Sequence, residues 1–240
     1  MSFGGDMVDA YGVVRDFPAK SMVAGLLANA LGWERYETAK HARLQERLAM
    51  GSVRVVEGRR VRDFQTAKLE KDDKGWTTRG RREERAGGAD TYKAPHIRYR
   101  DADANARVLV ALRLADADEA PTLDDCAAAL DRPERPLFIG RKPFLPSRPL
   151  MLGVVDADGV PAALAHGLEI LPPAPDREDN PRAQWPRTDA ADGSLLATEA
   201  QEEELTDERH WPAGVHAGLR RVMEARLRWP APVAEAEAAA

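Results

Sequence analysis

Between Ala67 and Ala94 the chain carries almost no aliphatic side chain, while the segments on either side repeat apolar residues at regular spacing. A stretch of that length and composition has nothing to bury. It cannot join a core, and it is expected to project from whatever its flanks build, as a hairpin or mobile loop. It also lies inside the main concentration of positive charge. Residues 54–100 hold fourteen basic and eight acidic side chains, a local +6 in a chain whose formal charge is −5. The basic run goes from Arg54 to Arg62, through Trp76, Arg79, Arg81 and Arg82, to His96, Arg98 and Arg100. Cations interleaved with glycine and aromatic rings read as a contact surface for a nucleic-acid backbone. A solvated charged loop fits the same composition, since Glu70, Asp72, Asp73, Glu83 and Glu84 share the stretch.

The flanks predict an ordinary globular core. Phe17-Pro18-Ala19-Lys20-Ser21 opens a helix with proline near its first position, and Met22, Val23, Leu26, Leu27, Ala30 and Leu31 form its apolar stripe before Gly32 ends it. A more polar helix is expected over residues 37–50, with Leu44 and Leu48 inward. Residues 52–57 and 59–66 read as strands around a turn at Gly58, and Arg107 to Leu114 is apolar enough for a central strand. Thr122 caps a helix over residues 122–130, with Asp124 and Asp125 in the first turn. Residues 135–149 read as a strand that meets a Gly140-Arg141-Lys142 corner, stiffened by Pro143, Pro146 and Pro149. A short strand over 151–155 and a helix over 160–168 follow.

The two ends read differently. Residues 1–17 are glycine-rich and are expected to be irregular. Prolines crowd from residue 172, and residues 174–240 carry fourteen acids against eight bases, which predicts a partly ordered acidic extension with a helical pattern over 216–229. Two units result: residues 1–170 with a basic thumb insertion at about 67–97, and the extension 171–240. The fold class is α+β, an antiparallel sheet with helices on one face, close to the ferredoxin-like or RRM arrangement. Such folds open with a strand, and that first strand is missing from this reading.

Several functions are disfavoured at once. Cys126 is the single cysteine, so no internal disulfide forms, and no Cys/His cluster has metal-site spacing. Its amphipathic surroundings mark it as a small buried apolar residue. No apolar run reaches about 18 residues and the first residues lack a basic region before an apolar core, so neither a membrane span nor a signal peptide is expected. A cytoplasmic protein without cofactor or metal is the simplest inference. Phosphate-loop, nucleophile-elbow and zinc-protease motifs are absent from the sequence.

Three segments, in order, resemble the CasD proteins, the Cas-five family subunit of type I-E CRISPR surveillance complexes (Cascade). They are Met1 to Gly5 followed by Arg15-Asp16-Phe17-Pro18-Ala19-Lys20-Ser21, then Arg62-Asp63-Phe64-Gln65-Thr66-Ala67, and finally residues 137–150 around Gly140-Arg141. The resemblance implies a non-catalytic subunit that binds the 5′ handle of CRISPR RNA and caps the backbone filament, with a thumb folding over the RNA. Its partners would be the crRNA handle, the backbone and large subunits, and target DNA only through the complex. Transferred residue by residue, Arg141 and Lys142 would meet phosphates, Gly140 would allow close approach, and Lys20 and Ser21 would add charge and hydrogen bonds at a helix start. Arg15, Arg62, Gln65 and His96 join them, Arg79, Arg81, Arg82, Arg98 and Arg100 belong to the thumb and its return, and Trp76 is the stacking candidate. One branch of the wider family cleaves precursor RNA. The neighbours Tyr92, Lys93 and His96 therefore leave a metal-independent endoribonuclease as the alternative.

Overall fold

The computed structural model describes residues 1–8, 11–67, 75–76, 82–83, 96–172 and 174–230. Its first half runs β1 (Gly4–Val8), β2 (Tyr11–Val14), α1 (Lys20–Ala30), α2 (Thr38–Arg47), β3 (Leu48–Val56), β4 (Arg59–Ala67), β5 (Gly75–Trp76), β6 (Arg82–Glu83), β7 (His96–Ala104) and β8 (Arg107–Leu114). Then come α3 (Leu123–Asp131), α4 (Val160–Ile170), β9 (Arg182–Pro186), β10 (Gln201–Leu205), β11 (Arg209–His210), β12 (Val215–His216) and β13 (Arg220–Arg226). The fold is mixed α+β. A five-stranded antiparallel sheet has the order β10-β13-β9-β3-β8, and a four-stranded sheet has the order β1-β2-β7-β4, with a parallel contact between β2 and β7.

Side-chain alternation along β3 explains how the first sheet is covered. Leu48 and Met50 face Val23, Ala24, Leu27, Leu44 and Cys126 of α1, α2 and α3. Val53 and Val55 face Val160, Leu164 and Leu168 of α4, together with Ala183, Trp185 and Ala225 of the neighbouring strands. Helices therefore cover both faces, which corrects the expected one-sided layer. The cause lies at residues 48–50. Expected to extend the second helix, they begin β3, and with them one apolar face of that strand passed unread. Cys126 is buried as expected, and burial, then the Asp125 charge, push its thiol up to about 11.

Four further expectations change. Residues 4–8 and 11–14 are strands rather than loop. β8 forms where expected, yet it is an edge strand among the described residues. Residues 135–149 and 151–155 hold no strand. Most of all, residues 174–230 are built into the first sheet, supplying three of its five strands and the fully buried Trp185, and residues 220–226 of the expected helix are β13. Acidic composition misled here because its carboxylates are partnered. Asp207 takes a bidentate hydrogen bond from Arg220, Glu202 pairs with Arg187, and Glu204 with Arg221. Asp189 accepts from the Val160 backbone N–H at the start of α4 and from Arg113.

The chain passes from one sheet to the other at Gly58 and returns at Asn105, both with positive φ. Beneath these crossings lies a buried charge cluster. Arg54 of β3 donates to Asp103 of β7 at 3.1 Å, to Glu57 and to the Asp16 carbonyl; Asp103 also accepts from Arg60 of β4 at 2.6 Å. Arg54 and Asp103 are each 3% exposed, so this pair is desolvated and fixes where the second sheet leaves the first.

Candidate nucleic-acid interface

β4 and β7 form a nine-pair antiparallel ladder from Arg59↔Ala104 to Ala67↔His96. Paired residues share a face, so the ladder sorts its side chains into two sets. One face carries Val61, Asp63 and Gln65 of β4 opposite Ala102, Arg100 and Arg98 of β7. Gln65, Ala67, Arg98 and Arg100 of this face, with Thr66 between Gln65 and Ala67 in the chain, line an open groove of about 560 Å³, and Arg100 donates to the Gln65 side chain at 3.2 Å.

The Gly140-Arg141 corner packs against the same strand pair. Arg141 donates to the Asp101 carbonyl at 2.5 Å, and its guanidinium lies 5.1 Å from the Phe144 ring. Burial, then the neighbouring Arg100 charge, pull Arg141 below its ordinary pKa, although Asp101 and Asp63 act the other way. Its Nε is buried without a protein partner among the described residues. Lys142, next in the chain, is exposed. Gly140 has φ of 85°, and a Cβ there would stand 1.8 Å from the Ser2 carbonyl oxygen. The glycine is thus demanded by the chain's own first residues. No ligand is needed to explain it.

The opposite face is aromatic and electrically matched. Tyr11 of β2 and Tyr99 of β7 stack with ring centroids 5.0 Å apart and 17° between planes. Phe64 pairs with Tyr99 in register, and Phe64 and Tyr11 are 62% and 54% exposed. Arg62 spans both tyrosine rings at 5.7 and 5.5 Å while bonding Asp101 bidentately; that bond first, and then charge attraction, raises Arg62 and lowers Asp101 from their ordinary values.

The remaining expected site residues fall elsewhere. Lys20 and Ser21 are buried; Lys20 forms an ion pair with Glu208 at 2.8 Å, and the start of α1 is met by the Asp207 carboxylate. That helix end is met by a carboxylate from within the chain. Arg15 donates to the Thr206 carbonyl. Arg79 and Arg81, along with Tyr92 and Lys93, lie outside the described residues, as do the side chains of Trp76, Arg82 and His96. Sequence reasoning missed Tyr11, Phe64 and Tyr99 as one surface. The alternation Arg62-Asp63-Phe64 against Arg98-Tyr99-Arg100 holds the signal, but which faces coincide depends on register.

A family model described as CRISPR-associated protein (Cas_Cas5) matches residues 1–223. The chain belongs to that Cas5 family. A solved chain titled "CRISPR RNA-guided surveillance complex" is similar at 21% identity and a TM-score of 0.61, over 96% of this chain and 87% of that one. Another, titled "Crystal structure of Cas protein", is similar at 22% identity and a TM-score of 0.49, over 92% and 90%. No curated protein sequence matches. In this Cas5-family chain no described helix is long and apolar enough to cross a membrane.

Proposed function

We propose that this Cas5-family chain is a non-catalytic RNA-binding subunit of a type I-E CRISPR surveillance complex, that it holds the 5′ handle of the CRISPR RNA, and that it acts in the cytoplasm. One observation carries the reading: Gln65, Arg98 and Arg100 line one groove on the β4–β7 hairpin, and Arg141 packs on the same strand pair, near enough to feel the Arg100 charge. Family membership supports it, as does the structural likeness to a chain from an RNA-guided surveillance complex. The finer fold reading of a ferredoxin-like core with a projecting thumb is part of the same proposal. A phosphate backbone suits this groove because guanidinium donors clamp phosphate oxygens and the Gln65 amide offers neutral hydrogen bonds to sugar or base edges. The other subunits of the complex are the expected protein partners.

The test is binding of repeat-derived handle RNA at a series of salt concentrations. Affinity should fall linearly on a log-log scale, and Arg98→Ala should weaken binding and reduce the slope by about one. Absence of RNA binding by the folded protein would remove the proposal. Metal-independent cutting of the repeat RNA, abolished by His96→Ala, would replace its non-catalytic part.

A further inference from the structure

The hairpin sheet presents two chemically opposite faces, and the proposed phosphate groove uses one. We infer that the other face, built from Tyr11, Tyr99, Phe64 and Arg62, is a stacking site for an unpaired nucleobase of the same single-stranded RNA; the inference rests on the RNA-binding reading above. Its electrostatics exclude a second phosphate site. Arg62 is neutralised by Asp101, and Arg60 by Asp103. What this face offers is flat π surface. Two tyrosine rings already lie nearly parallel, and the Arg62 guanidinium extends the platform over them. Phe64 stands in register beside Tyr99, with most of its ring in water.

Three aromatic rings on one patch of sheet, with Phe64 and Tyr11 mostly in water, gain little for folding. Stacking on a base removes that surface from water whatever the base identity. Placement favours RNA over an acidic protein segment, because the cations an acidic peptide would need are already paired on this face. β4 is the outer strand of this sheet among the described residues, with Gln65 on the groove face and Phe64 on the aromatic face, so one RNA strand that wraps this edge can set phosphates on one side and a splayed base on the other.

The two faces make separable predictions. The probe is a single-stranded RNA of about 10 nucleotides carrying 2-aminopurine, titrated by anisotropy and by its own fluorescence. Phe64→Ala and Tyr11→Ala should each weaken binding on the order of tenfold, leave the salt slope unchanged, and reduce the quenching of 2-aminopurine. Phe64→Trp should restore both readouts. Melting curves that match the parent protein keep a folding defect out of the reading, and either exposed ring serves if the other variant misfolds. Should the parent bind with a steep salt dependence that Arg98→Ala weakens while Phe64→Ala and Tyr11→Ala bind as the parent does, the stacking site is overturned and the groove survives. An altered slope in the aromatic variants overturns it too. No binding by the parent removes the RNA-binding reading itself, and the stacking site with it.

Discussion

The two sheets of this protein are held together in contrasting ways. In the five-stranded sheet, β3 and β9 bury Val53, Val55, Ala183 and Trp185 almost completely between helices and neighbouring strands. In the four-stranded sheet, β4 is exposed along nearly its whole length, and its side chains meet one another across the ladder as ion pairs, a hydrogen bond and ring contacts. The first sheet is stabilised by removing apolar area from water. The second depends on backbone pairing and on the Arg54–Asp103–Arg60 cluster that ties it to the first. A surface that does little for its own folding is open to recognise something else, and here it offers one face of cations and one face of rings.

Substitutions can break or sharpen this contrast. Trp185→Ala removes the largest fully buried side chain and should cost about 4 kcal/mol by denaturant unfolding; a small effect would mean that β9 is not integral to the core. Arg54→Met strips one partner from buried Asp103 and should cost about 3 kcal/mol, at the low end for a broken buried pair because Arg60 remains. Gly140→Ala should lower stability by about 2 kcal/mol, since the new methyl meets the Ser2 carbonyl and the backbone has positive φ. It should also weaken RNA binding by displacing Arg141, which the same titration reads.

Asp189→Ala should cost about 1 kcal/mol through loss of the α4 cap. Burial pushes the Asp189 carboxyl up, but hydrogen bonds from Val160 N–H, Arg113 and Thr188 outweigh it and hold the group below its ordinary value of 3.8. A depressed carboxylate contributes its stability above 3.8 and loses it as pH falls through the folded value, so the gap between parent and Asp189→Ala should close below pH 3.8. Phe64→Ala should be smallest, within about 0.5 kcal/mol, because its ring is exposed. A large loss there would show that the aromatic face belongs to the fold.

Much of the architecture was legible as local pattern. The helix ended by Gly32, whose φ is 78°, the capping box of Thr122 and Asp125, and the strand at Arg107–Leu114 all follow from spacing and turn chemistry acting over a few residues. The thumb-base cations Arg98, Arg100 and Arg141 were legible as charge. The C-terminal strands were not, because Asp207, Glu202 and Glu204 look like solvated acid until Arg220, Arg187 and Arg221 are brought beside them from a distance. The surroundings of Lys20 and Ser21 were hidden for the same reason, since their partners lie some 187 residues away.

By itself the sequence determined where apolar periodicity starts and stops, which segment has nothing to bury, and that positive charge collects around that segment. Only the tertiary structure decided that β3 and β4 part into separate sheets, that the acidic segment completes the core, and that Tyr11 reaches Tyr99 while Arg141 reaches the Asp101 carbonyl of β7. Periodicity and charge are properties of neighbours in the chain. Register and long-range pairing are settled by the packing free energy of the whole molecule, and no single segment contains that sum.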